Sequence, residues 1–104
     1  MTQFEERERA YEARFAHDEE LRFKSLARRN KLLGKWAAEK LGRTGEAADA
    51  YAKEVVRSDF AEPGDEDVFR KVRGDFNSAG VEMSDEEIRL KMRELLVEAA
   101  EQLS

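Results

Sequence analysis

The chain has 104 residues, of which 40% are hydrophobic and 41% charged, and its formal net charge is −5. A chain of this length folds as one domain and buries about two-thirds of its unfolded surface, which suffices for a small core but not for a deep catalytic cleft. The absence of cysteine excludes disulfides, thiolate metal sites and a cysteine nucleophile. A single proline and the lack of strand-like runs favour an all-α fold.

The chain shows no targeting or membrane-spanning segment. Its beginning, MTQFEERERA, lacks the apolar core of a signal peptide, and no later segment is long and apolar enough to span a bilayer. The lack of cysteine also fits a reducing compartment. We therefore expect a cytoplasmic protein that does not insert into a membrane.

An aromatic stripe runs through the highly charged N-terminal residues. Phe4, Tyr11 and Phe15 have the spacing of one helical face, and Glu8 completes the row. In one interpretation these rings fold onto the flank of the domain. In the other they enter the groove of a partner and the segment becomes helical there. The apolar stripes in the rest of the chain can bury one another without these rings. We therefore favour the interpretation in which the rings bind a partner.

Four further segments predict helices with one apolar stripe each. They span residues 21–41, 44–62, 64–80 and 84–103. Their short connections turn each helix back beside its predecessor, which favours a four-helix bundle. We therefore predict an all-α protein. In this prediction residues 1–19 form a flexible, partly helical segment, and residues 20–104 form the four-helix bundle.

Local signals mark several helix ends and two weak points. Thr44 is a candidate N-cap, Ser84 with Glu87 forms a capping box, Pro63 marks a start and Gly80 a C-terminal cap. Gly34 and Gly74 lie inside predicted helices, where glycine costs about 1 kcal/mol relative to alanine. Close approach of a neighbouring helix would explain Gly74.

Charge is distributed in three blocks. Residues 22–43 carry eight basic residues and one acidic residue, whereas the segments before and after them are acidic. We interpret this as electrostatic complementarity within the domain. A nucleic-acid-binding role for the basic helix 22–43 is the alternative, which the acidic total disfavours. Trp36 has the spacing of a core residue within this helix rather than of a base-stacking platform.

No pattern of catalytic or metal-binding residues stands out. His17 is the only histidine, and a metal site needs at least three converging ligands. The carboxylate clusters at 62–67 and 84–87 lie where helix starts favour negative charge. Phosphate-binding and zinc-protease motifs are missing. We therefore predict that the protein is not an enzyme and has no catalytic or metal-binding residues.

Three stretches together carry a family resemblance: RERAYEARFAHDEELRFKSLARRNKLLGKWAAEKLG, AYAKEVV and DFAEPGDEDVFRKVRGDF. The chain resembles the zeta subunit, the ATPase-inhibitor subunit of rotary (F-type) ATP synthases in alphaproteobacteria. The match runs nearly end to end, and the last twenty residues resemble the family mainly in pattern. The resemblance implies a four-helix bundle with a mobile N-terminal segment that suppresses ATP hydrolysis.

The resemblance also implies a partner and a site. The partner is the catalytic head of the synthase, with its large alternating subunits and central stalk. The protein would be a monomer when free and peripheral to the membrane-bound synthase. Nucleotide binding is ascribed to the family, but no residues here can be assigned to it and we predict no cofactor. An acidic helical adaptor remains an alternative. The candidate inhibitory residues are Phe4, Arg7, Glu8, Tyr11, Arg14 and Phe15.

Overall fold

A computed structural model of the protein describes residues 2–15, 17–59 and 65–103, and the regular structure in these ranges is entirely helical. The predicted all-α class is confirmed. No helix among the described residues is long and apolar enough to cross a bilayer. The five helices are α1 (Gln3–Arg14), α2 (Glu19–Lys40), α3 (Gly45–Ser58), α4 (Glu66–Ala79) and α5 (Asp85–Leu103).

Helices α2 to α5 form the bundle around one apolar core. The long α2 packs against both α3 and α5, and α4 contacts the other three helices. The predicted stripes supply the core because each helix buries the face on which its apolar residues recur. Trp36 packs against this core, and the centre of its ring lies 5.7 Å from the centre of the Phe76 ring in an edge-to-face arrangement, which confirms its interpretation as a core residue. Fully buried members include Leu33, Ala37, Tyr51, Val55, Val68, Val72, Phe76 and Ile88.

The predicted helix ends between α2 and α5 are largely confirmed. The Ser84 hydroxyl accepts a hydrogen bond from the Glu87 backbone N–H at 3.0 Å. Gly80 ends α4 in the left-handed conformation with φ of 71°, where a side chain would be strained. Thr44 occupies the N-cap of α3 without a side-chain bond. The predicted role of Pro63 lies outside the described residues.

Two N-caps divide the N-terminal region into separate helices. The Thr2 hydroxyl accepts a bond from the backbone N–H of Glu5 at 3.1 Å, and the Asp18 carboxylate accepts one from Leu21 at 3.0 Å. Each cap satisfies a backbone donor that lacks an intrahelical partner. Asp18, in an extended conformation, therefore starts α2 after the turn that follows α1.

The two interior glycines differ in what surrounds them. A Cβ at Gly34 would lie 2.5 Å from the Cα of Ala52, so this glycine allows α3 to approach α2 closely. A Cβ at Gly74 would meet nothing within 4 Å in the described structure. The expectation that close approach explains Gly74 is therefore wrong, and it is Gly34 that has this role.

A polar network fixes α2 against the ends of α3 and α4. Arg29 is only 1% exposed and donates to the Asn30 side chain and to Asp65, both at 2.8 Å. The Asn30 amide donates to Asp59 at 3.0 Å. Asn30 interrupts the apolar stripe of α2 because it links these groups. Asp65 lies at the N-cap of α4 but makes no side-chain cap bond, so capping does not account for this carboxylate.

Candidate functional site

The aromatic face of α1 lies on the C-terminal half of α5. Tyr11 is 7% exposed and packs with Val97 and Ala100. Phe4 and Phe15 are half-buried at the same cluster, and the Phe15 ring lies 6.2 Å from the Tyr11 ring. This cluster is separate from the bundle core. The predicted stripe therefore exists as a continuous face, which rests on one helix.

Two ion pairs connect α1 to α5 beside this face. Glu8 accepts two hydrogen bonds from the Arg93 guanidinium, at 2.9 and 2.7 Å. Arg7 pairs with Glu101 and donates through its Nε at 3.1 Å. The Arg93 guanidinium also lies 5.5 Å from the centre of the Phe4 ring. Both pairs use two parallel bonds, a geometry that favours a defined register of α1 along α5.

The ion pairs make the α1–α5 contact sensitive to acid. Hydrogen bonds from Arg93 hold the pKa of Glu8 below its usual range, and those from Arg7 do the same for the pKa of Glu101. A carboxylate with a depressed pKa in the folded state stabilises that state above its unfolded pKa. This contribution is lost as the pH falls from the ordinary carboxyl pKa through the lowered pKa of the folded state. Burial raises the pKa of Tyr11.

The six candidate residues differ in their surroundings. Phe4, Glu8, Tyr11 and Phe15 are buried or half-buried against the rest of the chain. Arg7 is exposed although it forms an ion pair with Glu101. The remaining candidate, Arg14, is exposed, and its guanidinium lies 5.3 Å from the centre of the Phe15 ring.

Of the two interpretations of the aromatic stripe, the structure shows the first, in which the rings fold onto the flank of the domain, so the preference for a stripe left over for a partner is wrong for the free chain. This flank is the second face of α5, on which Arg93, Val97, Ala100 and Glu101 recur at intervals of one turn. The sequence carried a signal, because LLVEAA at 95–100 is too broadly apolar for one stripe and indicates a helix buried on two sides. That residues 1–19 act as a separate, flexible segment stays a prediction.

The contact that holds α1 is small compared with the core. Burying one large side chain stabilises by about 1.5–3 kcal/mol, and exposed ion pairs contribute about 0–1 kcal/mol each. Among the five helices α1 contacts α5 alone, whereas each helix of the bundle contacts at least two others. Detaching α1 therefore leaves the bundle core intact, and α1 is the element with the lowest cost of local opening.

The basic helix is neutralised only in part. Within α2 and the turn after it, Lys24 pairs with Glu20, Arg29 with Asp65 and Arg43 with Glu54. The other five basic residues of 22–43 form no ion pair with any described residue. Internal complementarity is thus an incomplete account of this charge block. These five residues are Arg22, Arg28, Lys31, Lys35 and Lys40.

The described residues form no cluster of possible metal ligands around His17 or elsewhere. His17 is exposed in the turn between α1 and α2. Within the described ranges no group of three histidine, aspartate or glutamate side chains is placed to hold a metal ion.

Fold and site together define a class of protein: a small helical bundle with a short helix on its flank that carries an aromatic face, as protein-interaction modules do. The chain belongs to a family within that class. The family model described as ATPase inhibitor subunit zeta matches residues 1–102, so the chain is a member of that family. The resemblance found in the sequence is thereby confirmed, and with it an inhibitory role and association with the ATP synthase.

Solved structures also include a relative. One described as a solution NMR structure of the protein is 49% identical to this chain, with a TM-score of 0.72. The match covers 80% of this chain and 94% of the other. A comparison with curated proteins gave no match.

Proposed function

We propose that the protein inhibits ATP hydrolysis by inserting α1 as a helix between two large subunits of the catalytic head of the synthase. The observation that carries this proposal is the single face formed by Phe4, Tyr11 and Phe15, which is held by a small cluster outside the bundle core. A helix that enters such an interface prevents it from closing and blocks rotation in the direction of hydrolysis.

Insertion requires α1 to leave α5, because the same face serves both contacts. Tyr11 leaves its contact with Val97 and Ala100 and packs into an apolar pocket of the head. Arg7 and Glu8 exchange their partners on α5 for charges at the rim of the groove. Such an exchange favours the complex only if the contacts with the head stabilise α1 by more free energy than its contacts with α5.

Helix α1 is already ordered on α5, which reduces the cost of binding. Ordering a residue from a coil costs about 1–2 kcal/mol, a large sum over the 12 residues of α1. The Thr2 cap and the acidic first turn, with Glu5 and Glu6, favour the helix before the partner is met. The free protein thus presents a preformed helix rather than a random coil.

Arg14 is the candidate that can contact the head before α1 is released. Its side chain is exposed and forms no ion pair with any described residue, while it covers the half-buried Phe15. A carboxylate at the rim of the groove would attract this guanidinium. The remaining bundle, once bound to the head, keeps α1 at a high effective concentration near the groove.

A titration tests this proposal. Purified catalytic head hydrolysing ATP should lose most of its activity as full-length protein is added, and the loss should saturate at equimolar binding. The hydrolysis rate is followed with a coupled assay. If saturating full-length protein leaves the rate unchanged while binding to the head is detected, insertion of α1 is not the mechanism.

A further inference from the structure

A groove between α2 and α3 brings together four cations that form no ion pair with any described residue. It has a volume of about 540 Å³ and is open to solvent. Its floor is apolar and is formed by Ala52 and Val56. Two rows of cations border it, Lys31 and Lys35 from α2 and Lys53 and Arg57 from α3.

Helix packing creates this arrangement. In each row the cations are four residues apart, so they share one helix face. Gly34 lies beside Lys35 and allows the α3 backbone to approach at Ala52, next to Lys53. The close contact therefore narrows the groove and brings the two rows to face each other across its apolar floor.

The four cations have no ion-pair partner in the described part of the chain, although the chain is acidic overall with a net charge of −5. Next to this row on α3 the situation differs, because Glu54 pairs with both Arg43 and Lys71. Four like charges gathered at one groove repel each other, and one carboxylate, Asp49, lies among them. Folding alone gives no reason for this cluster.

We propose that this groove binds an acidic helical segment of a partner protein, with an apolar side chain against Val56 on the floor and carboxylates against the two rows. The identification of that partner as the catalytic head of the synthase rests on the function proposed above. The groove would be the anchor of the bundle, whereas α1 is the inhibitory element.

The lining favours a protein segment over a nucleic acid. Its apolar floor matches a leucine-type side chain between acidic residues, and no aromatic ring among the lining residues is available for base stacking. Asp49 and the negative charge of the whole chain repel a phosphate backbone.

Groove and α1 can bind at the same time. The groove is lined from α2 and α3, while α1 rests on α5. Release of α1 therefore leaves the groove unchanged. Two contacts on one partner raise the apparent affinity through effective concentration, even where each alone is weak.

Charge reversal in the full-length protein tests the groove. Lys35→Glu with Lys53→Glu places one carboxylate in each row. Arg22→Glu with Lys40→Glu is the matched control, because it makes the same change in net charge at exposed α2 positions outside the groove. Binding to the purified catalytic head is measured by calorimetry at two salt concentrations, together with ATP hydrolysis and thermal unfolding.

We expect the groove variant to bind the head about tenfold or more weakly and with less salt dependence, while the control stays within about twofold of the wild type. At saturation the groove variant still inhibits fully, because α1 is intact. Equal binding by both variants overturns the inference, as does a groove variant that loses only binding to a single-stranded RNA probe.

If the wild type binds but does not inhibit, the proposed function fails, and a selective loss of binding in the groove variant still supports the groove.

Discussion

Replacing Phe4 and Tyr11 together by alanine should raise the concentration needed for half-maximal inhibition of ATP hydrolysis by roughly 10- to 100-fold. Aromatic anchors at interfaces cost about 2 kcal/mol or more each when truncated. Part of this loss is offset, because the variant also loses the Tyr11 contact with Val97 and Ala100 and thus releases α1 more easily. The measurement is a titration of the catalytic head with each protein.

Phe23→Ala is the matched control for that variant. This change also removes an aromatic ring. Because Phe23 is 71% exposed on α2, its ring supports neither α1 nor the bundle core. We expect the control to inhibit like the wild type. Because Tyr11 belongs to a cluster separate from the core, the double variant should unfold at nearly the wild-type temperature. Undiminished inhibition by the double variant would contradict the role assigned to α1.

Substitution of the two interior glycines by alanine should change stability in opposite directions. Gly34→Ala places its Cβ 2.5 Å from the Ala52 Cα and 3.0 Å from the Ala52 Cβ. The Ala52 backbone cannot avoid this contact by a change of rotamer, so α3 must move away from α2. We expect the free energy of unfolding to fall by about 1–3 kcal/mol. Gly74→Ala meets no described atom within 4 Å and should gain about 1 kcal/mol from helix propensity.

Denaturant unfolding of the two glycine variants gives the comparison directly. Each serves as the control of the other, since the chemical change is the same and both positions lie inside helices. For a domain of this size about 1 kcal/mol corresponds to a shift of about 4–8 °C in melting temperature. A Gly34→Ala protein as stable as the wild type would mean that α2 and α3 do not approach as closely as described.

The bundle could be predicted from the sequence because its information is local. Each stripe recurs with the helical period, and Ser84 and Gly80 mark helix ends through bonds within a few residues. The N-cap residues Thr2 and Asp18 are also local signals of a helix start. They lie beside long charged runs, however, where the spacing of apolar residues does not show where a helix begins.

The docking of α1 could not be read in the same way, because it depends on tertiary geometry. The run LLVEAA at 95–100 indicates that α5 is buried on a second side, but only the folded bundle shows that Val97 and Ala100 on this side contact α1. The role of Gly34 likewise depends on the distance to Ala52, a residue on another helix. The residues of the aromatic stripe were found from their period, but their intramolecular partner was not.

One measurement tests directly whether α1 must leave α5 in order to inhibit. The chain contains no cysteine, so Arg7→Cys with Glu101→Cys provides a single thiol pair across the α1–α5 contact. A short bismaleimide joins the two positions, and the same variant capped with N-ethylmaleimide is the control. We predict that the capped protein slows ATP hydrolysis by the catalytic head and that the cross-linked protein does not. Equal inhibition by the cross-linked and capped proteins would contradict the account.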